Sequence, residues 1–292
     1  MKHIHFIVNP ISGKGKHDIC EKLLLQFFPQ KDYKVVIHFS QYKKHAIELT
    51  QQAILLAPDV IVACGGDGTI HEVAAQLVNT DIALGIIPVG SGNGLASNLE
   101  ISKTVEAAME NIRKGHVKNI DVGKINHKYF FSNMGFGIDA TIIENYEKSG
   151  SRKLLSYLKA AIQSAKKFEF KNMQLCIAGQ SKNIKPLLLF ISNSNEMGYS
   201  MTLTPKASLQ DGLLDILMVP KINTIQKLYF GLLVLLKKTD SFAKAEWTQV
   251  AELEVTIADF ETNVIQLDGE YYLFKENKFR IEVLPSALKV LC

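Results

Sequence analysis

Arginine is scarce in this chain: Arg113, Arg152 and Arg280 are the only three among 33 basic residues. Bidentate guanidinium reading of base edges is poorly supplied, so no nucleic-acid partner is expected. Cysteine is scarce too. Cys20, Cys64, Cys176 and Cys292 lie far apart with no C-x-x-C pair, which suits thiols in a reducing compartment rather than a disulfide frame. No apolar run reaches the roughly 18 residues that span a bilayer, the nearest being Leu228 to Leu236. The start, "MKHIHFIVNP", enters a strand directly without the pattern of a signal peptide, and a cytoplasmic protein is expected. A Walker A loop is missing, and no G-x-G-x-x-G follows the first strand, which disfavours standard P-loop kinases and dinucleotide oxidoreductases. His45 and His71 have no cysteine, histidine or carboxylate at ligand spacing, so no zinc site is expected.

What is present is an ordinary globular composition, 47% apolar and 21% charged, with net charge +4 carried almost wholly by lysine. Such a surface suits an anionic membrane or a nucleotide, or is merely solvated. The 292 residues allow two domains. Over residues 1–121 strands alternate with helices expected at His17–Phe28, His45–Leu56, Ile70–Val78 and Thr104–Gly115, and the strands are near-continuous Val, Ile and Leu. That pattern predicts an α/β domain with a parallel sheet covered by helices. Residues 122–292 are dominated by strand-like runs such as "KYFFSNMGFG", "PLLLFISNS" and "LLDILMV", with helices expected at Lys153–Lys167 and Thr224–Lys238. A β-rich, sandwich-like second domain follows, whose last residues could pack back on the first. The apolar run within the last helix, "LYFGLLVLLKK", is read as core in preference to a membrane-dipping surface.

Three segments of the first domain place small residues just after a strand: "NPISGKGK" from Asn9, "GGDGT" from Gly65 and "PVGSGNG" from Pro88. In an open parallel sheet such turns gather at the carboxyl edge, where backbone amides can meet a phosphate. Thr69 and Glu72 have the spacing of a capping box, which explains them locally. Asp67 has no such explanation, and beside a phosphate it becomes favourable only with a divalent cation or a lysine between them. The stretch therefore points to a metal–nucleotide complex. "LDGEYY" reads from its residues as a hairpin turn, and Asp211 in "LQDGLLDI" as the opening of a turn.

The ordered set "NPISGKG", "GGDGT", "IPVGSGNGLASNL", "NMGFGIDA", "ASLQDGLLDI" and "LDGE" resembles the diacylglycerol kinase and sphingosine kinase family of lipid kinases, over essentially the whole chain. The resemblance implies transfer of the γ-phosphoryl group of ATP to a lipid hydroxyl, in a cleft between a nucleotide domain and a sandwich-like lipid domain. Diacylglycerol converted to phosphatidic acid is the first expectation. It implies a nucleotide site of Asn9, Pro10, Ser12, Gly13, Ser40, Gly65, Gly66, Asp67, Gly68, Thr69, His71, Glu72, Ser91, Gly92 and Asn93. It further implies Mg2+ held at Ser208, Asp211 and Leu213, Glu270 as proton acceptor, Asp268 aligning it or a magnesium ion, and Asp67 acting on the phosphates through a metal ion. Reversible contact with a membrane is implied by the substrate, and a homodimer is left open. Diacylglycerol kinases usually read T-x-N-D in the third loop, whereas Ser91, Gly92, Asn93 and Gly94 stand here, which keeps a sphingoid base or another lipid open. NAD kinase shares "GGDGT", and a silent nucleotide-binding regulator is a further alternative, against which the retention of Asp67, Asp211, Asp268 and Glu270 speaks.

Overall fold

The computed structural model describes the chain except residues 16–18, 91, 149, 151–153, 197–201 and 259–261. Its contacts divide it into two units: unit 1 is Met1–Val122 with Pro285–Cys292, and unit 2 is Gly123–Leu284.

Unit 1 runs β1 (Lys2–Val8), α1 (Glu21–Phe27), β2 (Tyr33–Phe39), α2 (His45–Ile54), β3 (Val60–Gly65), α3 (Asp67–Leu77), β4 (Ala83–Pro88), α4 (Gly94–Asn98) and α5 (Val105–Lys114). The strands pair in parallel in the order β2-β1-β3-β4. Every residue of β3 and β4 is buried, as uninterrupted Val, Ile, Leu and Ala require when helices cover both faces. α5 ends where expected, because Gly115 takes the left-handed conformation (φ 73°) that stops a helix. α1 begins at Glu21, later than the expected start at His17, which lies outside the described residues.

α3 starts three residues earlier than expected. Gly66 is its extended N-cap and Asp67 its first residue, so Thr69 falls inside the first turn and the capping box with Glu72 does not form. A carboxylate in the first turn suits the positive end of the helix dipole, which is what draws the start back to Asp67. A capping box does form in unit 2, between Asn223 and Gln226.

β5 (Val117–Ile125) crosses into unit 2, which continues with β6 (Lys128–Phe130), β7 (Asn133–Gly137), α6 (Ile138–Lys148), α7 (Leu154–Lys167), β8 (Met173–Ile177), β9 (Gln180–Ile184), β10 (Pro186–Ser192), β11 (Leu214–Pro220), α8 (Thr224–Leu235), β12 (Glu246–Val250), β13 (Glu252–Ile257), β14 (Asn263–Leu267), β15 (Glu270–Phe274) and β16 (Lys278–Leu291). A six-stranded antiparallel sheet, β12-β11-β10-β7-β14-β15, forms its centre. Strand alternation gives this sheet two apolar faces. Leu189, Ile191, Ile216 and Met218 pack with Val255, Phe279 and Ile281 of the second layer of strands, making the sandwich. Leu188, Phe190, Leu217 and Val219 pack instead with Phe230 and Leu233 of α8. The last eight residues return to unit 1, where Val290 pairs with Leu84 of β4.

The expected single strand "KYFFSNMGFG" is two strands broken at Phe131–Ser132, whose amides turn to a side chain instead of a neighbouring strand. α6 follows directly and was not foreseen, since its Thr-Ile-Ile run has strand-type propensity that packing overrides. The core reading of α8 is corrected. Only Phe230 and Leu233 of that helix are buried, because one narrow stripe suffices to cover the sheet.

Candidate active site

Parallel pairing brings four loop starts of unit 1 to one level. The Ser40 amide donates to the Val8 carbonyl (2.9 Å), Asn9 to Cys64 (2.9 Å) and Val89 to Gly65 (3.0 Å). From that level the first and second loops are tied by Asn9, whose Nδ2 donates to Thr69 Oγ1 at 3.1 Å. The second and third loops meet backbone to backbone: a Cβ on Gly90 would lie 2.5 Å from the Gly66 Cα, so position 90 needs glycine, whereas a Cβ on Gly66 would lie 3.3 Å from the Gly90 Cα, a tight contact. The close approach at Gly90 thus serves loop-to-loop packing. Pro10 is exposed and Ser12 half-buried in the first loop, and Gly13 sits at φ 59°. Gly68, His71 and Glu72 are half-buried on α3. Ser91 lies outside the described residues.

Asp67 braces the third loop. Its Oδ2 accepts from the Asn93 amide at 2.8 Å and its Oδ1 from the Gly94 amide at 2.7 Å, so the carboxylate sits on the start of α4. This local task was invisible in "GGDGT" read alone, because its partners lie 26 and 27 residues away. A carboxylate is the hard oxygen donor that a divalent cation prefers. Asn93 is left-handed (φ 58°), buried, and donates through Nδ2 to the Gly90 carbonyl at 2.7 Å. Its Oδ1 has no hydrogen-bond partner among the described residues.

In unit 2, Asp268 and Gly269 (φ 49° and 83°) form the two-residue turn between β14 and β15, the hairpin that the residues of "LDGEYY" suggested. The turn also does something a plain hairpin does not. The Asp268 carboxylate accepts from the amides of Phe131 (2.9 Å), Ser132 (2.7 Å) and Asn133 (3.1 Å), while its own amide donates to the Asn133 carbonyl at 2.9 Å. Charge-assisted bonds of this kind contribute about 1.5–3 kcal/mol each, so the hairpin is fixed firmly to the turn before β7. Glu270, the first residue of β15, is half-buried, and the Tyr272 hydroxyl approaches its Oε2 only at 3.5 Å.

The "LQDGLLD" segment is a compact turn. The Ser208 hydroxyl accepts from the Gln210 amide (3.2 Å) and Asp211 Oδ1 from the Leu213 amide (3.1 Å). Asp215, in β11, is held above the usual carboxylate range by burial and, to a lesser degree, by repulsion from Asp211, while a bond from Gln249 opposes the shift. Oxygen donors beside two repelling carboxylates fit a hard divalent cation. Among the described residues no three His, Cys, Asp or Glu side chains cluster as a metal site, and the expected set of one carboxylate with two neighbouring oxygens is not of that kind.

Asp139, within the "NMGFGIDA" segment, has no role implied by its neighbours in sequence. Asp139, in the first turn of α6, is buried with both oxygens lacking a hydrogen-bond partner among the described residues. Burial pushes its carboxyl up to about 7, the nearby amides of Ala140 and Asp139 itself offsetting part of that. It fits because residue 135 has no side chain: a Cβ there would lie within 3 Å of the carboxyl. Gln266 pairs with Gly135 across the sheet and shares that face, and it donates to Asn133 Oδ1 at 2.8 Å. The signal available in the sequence was "GFGID", two glycines followed by a carboxylate. A cavity of about 760 Å3 is lined by Leu25 and by Tyr33 to Ile37 of β2, and none of these site residues lines it.

A model of the diacylglycerol kinase catalytic domain matches residues 3–125, and a model of the YegS C-terminal NAD kinase beta sandwich-like domain matches residues 132–292. "Diacylglycerol kinase" of Bacillus subtilis is 28% identical over 280 residues, spanning 93% of this chain and 90% of that protein. "Probable lipid kinase YegS-like" of Yersinia enterocolitica is 31% identical over 255 residues, spanning 82% and 80%. A crystal structure of a diacylglycerol kinase from Bacillus anthracis str. Sterne superposes with a TM-score of 0.78 at 21% identity over 99% of this chain and 96% of that one, which supports the fold.

Proposed function

The chain belongs to the lipid kinase family defined by the diacylglycerol kinase catalytic domain and the YegS C-terminal domain, and on that premise we propose that it phosphorylates diacylglycerol to phosphatidic acid with ATP. The observation that carries the reading is the braced set of loops at one sheet edge, Asn9 to Thr69 and Asp67 to Asn93 and Gly94, in a chain whose halves both match that family. In the proposed reaction the ATP phosphates lie on the amides of these loops. The lipid hydroxyl oxygen bonds to the γ-phosphorus as the bond to the β–γ bridging oxygen breaks, ADP leaves, and the hydroxyl proton passes to a Glu270 carboxylate oxygen. Asp268, clamped by three amides, positions the hairpin that carries Glu270. Asp67, and separately Asp211 with Ser208 and Leu213, would hold magnesium. Bound magnesium would supply charge neutralisation at the phosphates.

The test is mass spectrometry of total membrane lipids after incubation with the protein, magnesium and ATP. A phosphomonoester of diacylglycerol is the expected product. Glu270→Gln should keep ATP binding and lose at least about 100-fold in turnover, and near-normal turnover would remove Glu270 from its role. The departure at Gly94 keeps sphingoid bases in the same panel, and NAD is included as the substrate that would overturn the lipid reading.

A further inference from the structure

Fifteen large apolar side chains are exposed among the described residues, and six of them fall in one stretch of twelve: Ile225, Leu228, Tyr229, Leu232, Leu235 and Leu236. Their spacing of three, one, three, three and one residues puts them on one side of α8, opposite Phe230 and Leu233, which the helix buries in unit 2. The exposure is large, from 50% for Tyr229 to 78% for Ile225. The helix is also firmly begun, since the Asn223–Gln226 capping box satisfies its first amides. A stable helix that shows a contiguous apolar side to solvent marks a docking surface.

Charge decides between occupants. From Lys221 to Ala245 there are five lysines, Lys221, Lys227, Lys237, Lys238 and Lys244, and one acid, Asp240, giving 5 − 1 = +4, equal to the net charge of the whole chain. Lys237 and Lys238 are exposed just past the helix end, with no acidic group at ion-pair distance among the described residues. A second copy docking helix to helix would set these lysines against the same lysines or Lys221, with one acid to offset them. An anionic interface meets both features at once. The helix spans twelve residues and no helix of the described chain is long and apolar enough to cross a membrane, so the geometry is that of a helix lying in the headgroup layer.

We propose that the outer face of α8, flanked by Lys237 and Lys238, docks this chain onto an anionic lipid bilayer. The six apolar side chains enter the boundary between headgroups and acyl chains, and the lysines at the helix end meet lipid phosphates. This goes beyond the kinase reading, since binding needs neither ATP nor turnover, although a bilayer-embedded substrate gives the surface its use.

The experiment is co-sedimentation of the full chain, without nucleotide, with phosphatidylcholine vesicles carrying about 30 mol% phosphatidylglycerol and with phosphatidylcholine alone. Binding to the anionic vesicles is expected, with Leu228→Glu/Leu232→Glu losing at least about tenfold in partition and Lys237→Glu/Lys238→Glu losing the preference for anionic lipid. Melting temperature and turnover on detergent-dispersed diacylglycerol should stay within error for both variants, which keeps failure of docking distinct from failure of the kinase reading. Three results overturn the proposal: no binding by the native chain, equal binding by Leu228→Glu/Leu232→Glu, or a native dimer that this variant splits while vesicle binding persists.

Discussion

Asp268 and Asp139 are both set against strand β7, and the backbone treats them in opposite ways. Asp268 draws the amides of Phe131 and Ser132 from the turn before the strand and that of Asn133 at its first residue, so its carboxylate supplies an acceptor where the ladder is interrupted. Asp139 lies over Gly135 two residues into the strand, where the ladder already uses the amides, and its oxygens make no full hydrogen bond among the described residues, the Ala140 amide and its own offsetting only part of the burial. The same functional group is thus a clamp where the ladder is interrupted and a protonatable burden where it is intact. Asp67 of unit 1 belongs with the first kind, since it too accepts amides where a loop turns into a helix.

The largest effect should follow from removing the first kind of carboxylate. Asp268→Ala leaves three amides of a part-buried turn without their acceptor and should cost about 5 kcal/mol by denaturant unfolding. Amide exchange at Phe131, Ser132 and Asn133 should speed up more than elsewhere in unit 2. Unchanged exchange at those amides would show that water replaces the carboxylate, and the comparison with Asp139 would lose its basis.

Removing the second kind should do the reverse. The folded-state value of about 7 for Asp139 lies above its ordinary 3.8, so the folded chain binds this proton more tightly than the unfolded one. Its contribution to stability is full below pH 3.8 and is lost as pH rises through 7. Asp139→Asn keeps the shape of the neutral acid and should match the native chain below pH 3.8 and exceed it increasingly as pH rises, by about 4 kcal/mol at pH 8. Parallel stability curves from pH 4 to 8 would mean that Asp139 does not titrate in this window.

A smaller loss is expected from Asp67→Ala, about 3 kcal/mol for two charge-assisted bonds. The loss should be accompanied by release of α4 from the second loop, read as faster exchange of the Asn93 and Gly94 amides. Asp67 also shows how far the sequence could be read. The sheet, its strands and the three loops follow from runs of Val and Ile ending in glycine, because burial on both faces and turn chemistry leave local marks. The bonds from Asp67 to Asn93 and from Asp268 to Phe131 leave none, since they join segments 26 and 137 residues apart. Thr69 and Glu72 matched a capping box by spacing, yet Gly66 took the cap, because the strand already ends at Gly65 and Asp67 suits the first turn better. α8 is apolar nearly all round, so its sequence could not say which side was buried.

The smallest effect tests whether the contrast extends to unit 1, where strand β1 buries a base. His5 of β1 is fully buried between His38, at 3.0 Å from its Nδ1, and His3, at 2.9 Å from its Nε2. Burial first, then the neighbouring His3, His38 and Lys34, lowers its value from 6.5 to about 4. Here the unfolded chain binds the proton more tightly. The contribution of His5 is therefore full above pH 6.5 and is lost as pH falls towards 4, opposite in slope to that of Asp139. Allowing for solvent screening, His5→Gln should reduce the acid loss by about 2 kcal/mol between pH 6.5 and 4. In a single cooperative transition the two slopes partly cancel over the window they share, and native stability changes less with pH than that of either variant. If the units melt separately, calorimetry should instead show two transitions, with unit 1 falling in acid and unit 2 falling in base. A His5→Gln curve that tracks the native one below pH 6 would show that His3 and His38, not His5, take up the proton.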